Sequence, residues 1–226
     1  MDTCYACERP ASTVEHCPPK SFFPEGQRNH LMTVGSCEEH NNDNSKDVEY
    51  ARDVLTTMWG VNSSGLELFE SKTKKSFDRS PRLLTRTFGA MRAVVYEEQV
   101  VGATPHDLDR LNKVFNACVC AVHYHDTQQK HGTWGIVMPC FQFDPGVTEF
   151  KRENWTRLCE MLQAIPFAKK AVANPSVFEY GAAQLQGNYV YSVLFYGSFI
   201  VYAMQLTKER VSLFWKAWEP PGSSVS

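Results

Sequence analysis

The chain has 226 residues, 43% of them hydrophobic and 21% charged, with a formal net charge of −2; this is a globular composition for one ordinary domain or two small ones, and not that of a basic nucleic-acid coat. No apolar run approaches the length of a membrane span and no basic-then-apolar leader opens the sequence, which points to the cytoplasm and away from the membrane. The eight cysteines are then expected to be reduced.

In chain order, two half-sites come first. Cys4-Tyr5-Ala6-Cys7 supplies two thiols, and Cys37-Glu38-Glu39-His40 a third thiol and an imidazole. Cys and His at these spacings suit a tetrahedral structural zinc site. The bland alternative is a set of ordinary buried cysteines. The segment is poor in Leu, Ile and Val, however, and small units need a metal or disulfides to hold them.

Between and after the half-sites stand Glu15-His16, Asn29-His30 and Asn41-Asn42. An imidazole with a free pKa of about 6.5 can take a proton from water near neutrality. A carboxylate and an amide oxygen are hard ligands of the kind Mg²⁺ or Mn²⁺ prefers. Glu15 and His16 are neighbours, so on a strand they point to opposite sides, and a bulge or strand end is needed for both to reach one site. Pro18-Pro19 would end the strand there.

The ordered run Glu15-His16, Lys20-Ser21-Phe22, Asn29-His30-Leu31, Cys37-x-x-His40-Asn41-Asn42, Ser45-Lys46-Asp47 resembles the HNH endonucleases in their zinc-ribbon form, over roughly the first quarter of the chain. The resemblance implies a ββα-metal fold and metal-dependent hydrolysis of phosphodiesters, DNA favoured. It implies His16 as general base, Glu15 and Asn41 as ligands of a catalytic Mg²⁺ or Mn²⁺, and Asn29 as a brace for the loop between them. His30 and Asn42 are the alternates for Asn29 and Asn41. Cys4, Cys7, Cys37 and His40 would hold the structural zinc. Three departures stand out: Glu15 where Asp is more usual, His40 in place of a fourth Cys, and the doubled Asn29-His30. Stand-alone nucleases of this kind are often associated with anti-phage defence or mobile elements. The rival readings are a zinc ribbon that binds nucleic acid or protein without cutting, and a regulator whose tail is the functional part.

Fold class is therefore expected to be α+β: a zinc-stabilised ββα module over 1–60, a basic linker or bridge over 61–104, an α+β domain with an antiparallel sheet over 105–218, and a disordered tail over 219–226. Ser45 can cap a helix running to Trp59, with Tyr50 and Trp59 packing into the core. Gly60–Gly65 reads as a loop. Lys72, Lys74, Lys75, Arg79, Arg82 and Arg86, with Lys46, are the candidates for phosphate contacts. Ser80-Pro81 opens a regular stretch to about Val101, helical at first and strand-like at Val94-Val95-Tyr96.

Asp107 begins the clearest helix, with Leu108, Leu111, Phe115, Cys118 and Val122 on one side; His123 and His125 fall at its end. Trp134–Met138 is strand-like, Asn154 can cap a short helix, and Tyr189–Tyr196 with Phe199–Leu206 form a hairpin across Gly197-Ser198. Its aromatics suggest a half-buried sheet, which Val177–Tyr180 and Leu213–Trp218 could extend. A single site of this kind cuts one strand, so a homodimer would suit a double-strand break, and an activating protein partner is compatible with the unplaced tail.

Overall fold

The computed structural model describes residues 3–42, 45–96, 98–140, 149–207 and 210. The fold is α+β, with helices set against antiparallel sheets. Strand β1 (Thr13–His16) pairs antiparallel with β2 (Thr33–Ser36), placing Glu15 opposite Val34 and His16 opposite Thr33. The chain then enters α1 (Glu38–Asn42) and α2 (Ser45–Thr56). Helix α2 buries Ala51, Val54 and Leu55 on one face. It stops at Thr56, short of Trp59, which is 64% exposed and outside the core. The Thr57 hydroxyl donates to the Asp53 carbonyl at 2.8 Å, satisfying the helix end where the chain turns away.

The expected loop at Gly60–Gly65 gives way to helix from Ser63. Asn62 is an N-cap: its side-chain oxygen accepts from the N–H groups of Ser64 and Gly65 and starts α3 (Ser63–Leu68). A π-helical turn over Phe69–Thr73 leads into α4 (Lys74–Arg79), then Ser80 caps α5 (Pro81–Phe88) with proline in its first turn. The strand-like reading at Val94 holds, as β3 (Arg92–Tyr96) forms a two-stranded hairpin with β4 (Gln99–Ala103).

Helix α6 (Leu108–Thr127) starts where Asp107 accepts from the Arg110 N–H. It buries Leu111, Phe115, Cys118 and Val122, the stripe read from the sequence. His123 lies near the end of α6, as expected, but is a core residue: 1% exposed, with its Nδ1 3.0 Å from the Tyr191 hydroxyl. Strands β5 (Trp134–Val137), β6 (Ala168–Lys169), β7 (Phe178–Leu185), β8 (Asn188–Phe195) and β9 (Phe199–Gln205) form one antiparallel sheet in the order β5-β9-β8-β7-β6. The β8–β9 turn takes positive φ at Tyr196 (48°) and Gly197 (72°), as a primed hairpin turn requires.

Helix α7 (Glu149–Gln163) brings Cys159 and Leu162 onto Val137, Val190 and Tyr202 of this sheet, while α6 covers residues of the opposite face such as Tyr191 and Phe195. The sheet is thus covered on both faces, more deeply than its alternation suggested. Asn154 falls inside α7 and does not cap it. Leu213–Trp218 and the 219–226 tail lie outside the described residues. No helix among the described residues is long and apolar enough to cross a membrane.

One apolar core runs from Cys4, Phe22 and Val34 through α6 to Phe195 and Ala203. The two ends of the chain are joined by specific bonds as well. The Tyr196 hydroxyl donates to the Phe22 carbonyl at 2.6 Å. Arg110 spans from α6 to α2, with Nε 2.6 Å from Asp47 and its guanidinium 4.3 Å over the Tyr50 ring. Tyr50 thus joins the two helices, as expected of it.

Candidate metal centre and adjoining cavity

Cys4 and Cys7 lie on the turn before β1, and Cys37 and His40 at the end of β2 and in α1. Pairing of β1 with β2 brings the half-sites together, and the four ligand atoms all fall within 4.8 Å of one another. Cys7 Sγ is 3.9 Å from Cys37 Sγ, and His40 Nδ1 is 3.6 Å from Cys4 Sγ and 3.2 Å from Cys37 Sγ. Zinc bonds of about 2.3 Å to sulfur and about 2.0 Å to nitrogen give tetrahedral edges of about 3.8 and 3.5 Å. The donor set therefore fits zinc in both chemistry and size. The His40 backbone N–H bonded to Cys37 lowers that thiol to about 6, so it is a thiolate at neutral pH.

The cluster is braced from outside. Arg9 pairs with Glu39 across the half-sites. Lys130, from the turn after α6, reaches back to Thr3 Oγ1 at 2.7 Å, the Cys7 carbonyl at 2.8 Å and Glu8 at 3.0 Å. Such supporting contacts orient metal ligands. Among the described residues this is the one group of three or more Cys, His, Asp or Glu side chains arranged to hold a metal.

Beside the cluster opens a cavity of about 200 Å³. Glu15, His16 and Asn41 all line it, with Lys20, Ser21 and Ser45. β1 stops at His16, and Glu15 and His16, though neighbours, are both among the residues that line the cavity. Nδ1 of His16 is buried with no hydrogen-bond partner among the described residues. Burial first, and the nearby Lys20 second, lower the His16 pKa and keep the imidazole neutral. Burial raises the Glu15 carboxyl to about 7. The opposite wall is α6, through Val114, Ala117, Cys118 and Ala121.

Asn29 is not brought to this cavity. It is exposed, and its carbonyl accepts from Asn174 at 3.3 Å. Its neighbour His30, at a left-handed φ of 53°, lines a different cavity with Cys17, Met32 and His125. The intervening loop turns both away from His16. The side chain of Asn42 lies outside the described residues. Lys46 is exposed at the start of α2, its carbonyl accepting from Arg110. Lys75, Arg79, Arg82 and Arg86 are exposed, Lys72 is half-buried, and Lys74 is paired with Glu70 at 3.0 Å. Lys20, Ser21 and Ser45 are cavity residues to which the sequence reading gave no role there. A cation four residues after a candidate base was the available signal for Lys20. Nothing in the pattern of α6 announces that it walls a polar cavity.

Comparison with protein-family models, with curated proteins and with solved structures finds no match to this chain.

Proposed function

We propose that the protein is a divalent-metal-dependent endonuclease of the HNH, ββα-metal kind, with DNA the favoured substrate. The observation that carries this reading is the convergence of Glu15, His16 and Asn41 on one cavity next to a Cys₃His cluster, from a β1–β2–α1 arrangement. The zinc is structural: its four ligands are all protein side chains, which closes the site to substrate.

His16 is the general base. His16 lines the cavity, and an imidazole held neutral can accept the proton of a water there as it attacks phosphorus. The phosphodiester bond to the leaving oxygen breaks as the new P–O bond forms. Lys20 offsets charge on the phosphate and further lowers the basicity of His16. Glu15 and Asn41 would hold the catalytic Mg²⁺ or Mn²⁺, which when bound supplies charge stabilisation at the phosphate. With only one carboxylate in the set, such an ion would keep several waters, as Mg²⁺ does by habit. Lys46 and the exposed cations between Lys75 and Arg86 are offered as backbone contacts. An anti-phage or mobile-element role goes with the resemblance.

The test is nicking of supercoiled plasmid in Mg²⁺ or Mn²⁺, with His16→Ala beside the parent. Loss of about 10²–10⁴-fold in rate is expected for the variant, with zinc content unchanged. Equal rates in parent and variant would remove His16 as base. Binding of nucleic acid by both without cleavage of duplex or single strands would favour the non-catalytic zinc ribbon.

A further inference from the structure

The β3–β4 hairpin stands apart from the rest of the fold. Its strands pair only with each other among the described residues, leaving both outer edges open. An isolated two-stranded ribbon is marginal in water. Register sets Ala93 opposite Gly102 and Val95 opposite Val100, and the strand period of two puts these four on one face. Val95 and Val100, a directly facing pair, are 71% and 74% exposed. Met91 extends the same apolar strip, since a Cβ on Gly102 would come within 2.6 Å of its sulfur, and Met91 is itself 48% exposed. Among the described residues no charged side chain lies on this face, and an uncharged, open ribbon is what folded proteins ordinarily avoid presenting to solvent.

Charge sits at the two ends of the ribbon and differs in sign. Glu98 is in the turn and Arg92 at the root. The Thr104 hydroxyl, on the Thr87 carbonyl at 2.8 Å, ties the root to α5, which carries exposed Arg82 and Arg86. A two-fold axis lying between two such faces and running across the strands stacks two ribbons antiparallel. Each acidic turn then meets the basic root of the other copy. The same apolar strip is self-complementary under that axis.

We propose that the β3–β4 ribbon is a homodimer interface, on which a second copy of this chain packs through the Ala93, Val95, Val100 and Gly102 face. The interface stands on its own observations. Its consequence for cutting, two cavities in one particle able to act on both strands of a duplex, rests on the nuclease reading.

The experiment measures solution mass by light scattering at micromolar concentration for the parent, Val95→Lys/Val100→Lys, and Glu98→Arg with and without Arg92→Glu. The expected result is a dimeric parent, a monomeric double-lysine variant, and weakened association in Glu98→Arg that Arg92→Glu restores. The two valines are exposed, so circular dichroism of the double-lysine variant should match the parent. A monomeric parent, or a folded double-lysine variant that keeps the dimer mass, overturns the proposal. So does a variant whose mass is unchanged while nucleic-acid binding changes, which would make the ribbon a nucleic-acid arm. Loss of nicking by every protein, with the dimer intact, would count against the nuclease and not against the interface.

Discussion

Burial pushes both neighbours at the end of β1 toward their neutral forms, and this has opposite meanings for the roles proposed for them. For His16 the neutral form is the base. For Glu15 it is the acid, which cannot hold a cation; its carboxyl rises from 4.5 to about 7. A folded-state pKa above the unfolded value gives stability that is complete below about 4.5 and is lost as pH rises through about 7. Glu15→Gln removes this titration. In buffer free of divalent ions the melting temperature of E15Q should exceed the parent's at pH values above about 7, and the gap should close near pH 5. Added Mg²⁺ should stabilise the parent above neutrality and leave E15Q unmoved. A gap that does not change with pH would mean that Glu15 is better solvated than its surroundings indicate. That Glu15, His16 and Asn41 share one site could be suggested from sequence because residue type and order carry the resemblance that groups them. Asn29 could not be placed, because a turn with a left-handed His30 decides which way that loop faces, and no spacing rule encodes it.

At the scale of elements, the metal cluster was the most legible feature and the bridge over 61–104 the least. A Cys-x-x-Cys and a Cys-x-x-His on either side of a short hairpin have few ways to meet. Cobalt exchanged for zinc should give the intense visible bands of a tetrahedral thiolate site, and Cys37→Ser should weaken both those bands and the protection of residues 3–42 from protease. An octahedral spectrum, or full protection after chelation, would contradict a structural role. Helix α6 was readable because its Asp107 cap and its apolar stripe agree. The bridge was not, because an Asn62-Ser-Ser run looks like a turn until its side chain is seen capping α3, and the following π-helical turn breaks the 3.6-residue period. Trp59 was misjudged for a simpler reason: a large apolar side chain next to a helix end can sit in solvent once the helix stops three residues earlier.

The molecule as a whole makes the site from the first fifty residues and the middle of the chain. Glu15, His16, Lys20, Ser21, Asn41 and Ser45 come from positions 15–45, whereas the facing wall comes from Val114, Ala117, Cys118 and Ala121. That long-range packing has no local signature, although one apolar cluster joins residues of the first sixty positions to α6 and the sheet. Ala117 is half-buried on the wall, so Ala117→Phe should fill the cavity and cut the nicking rate at least about tenfold, a barrier of about 1.4 kcal/mol, while the cobalt spectrum stays unchanged. Unaltered cleavage would mean that substrate does not enter beside α6. The wall also imposes a schedule. Ribosomes add about 5–20 residues each second, so Ala121 is joined to the chain roughly 4–16 seconds after Asn41 at that pace. During that interval the metal ligands can already gather, but the cavity has only one side. On the nuclease reading proposed above, a nascent chain carrying His16 would lack the α6 wall of its cavity until that later helix is made.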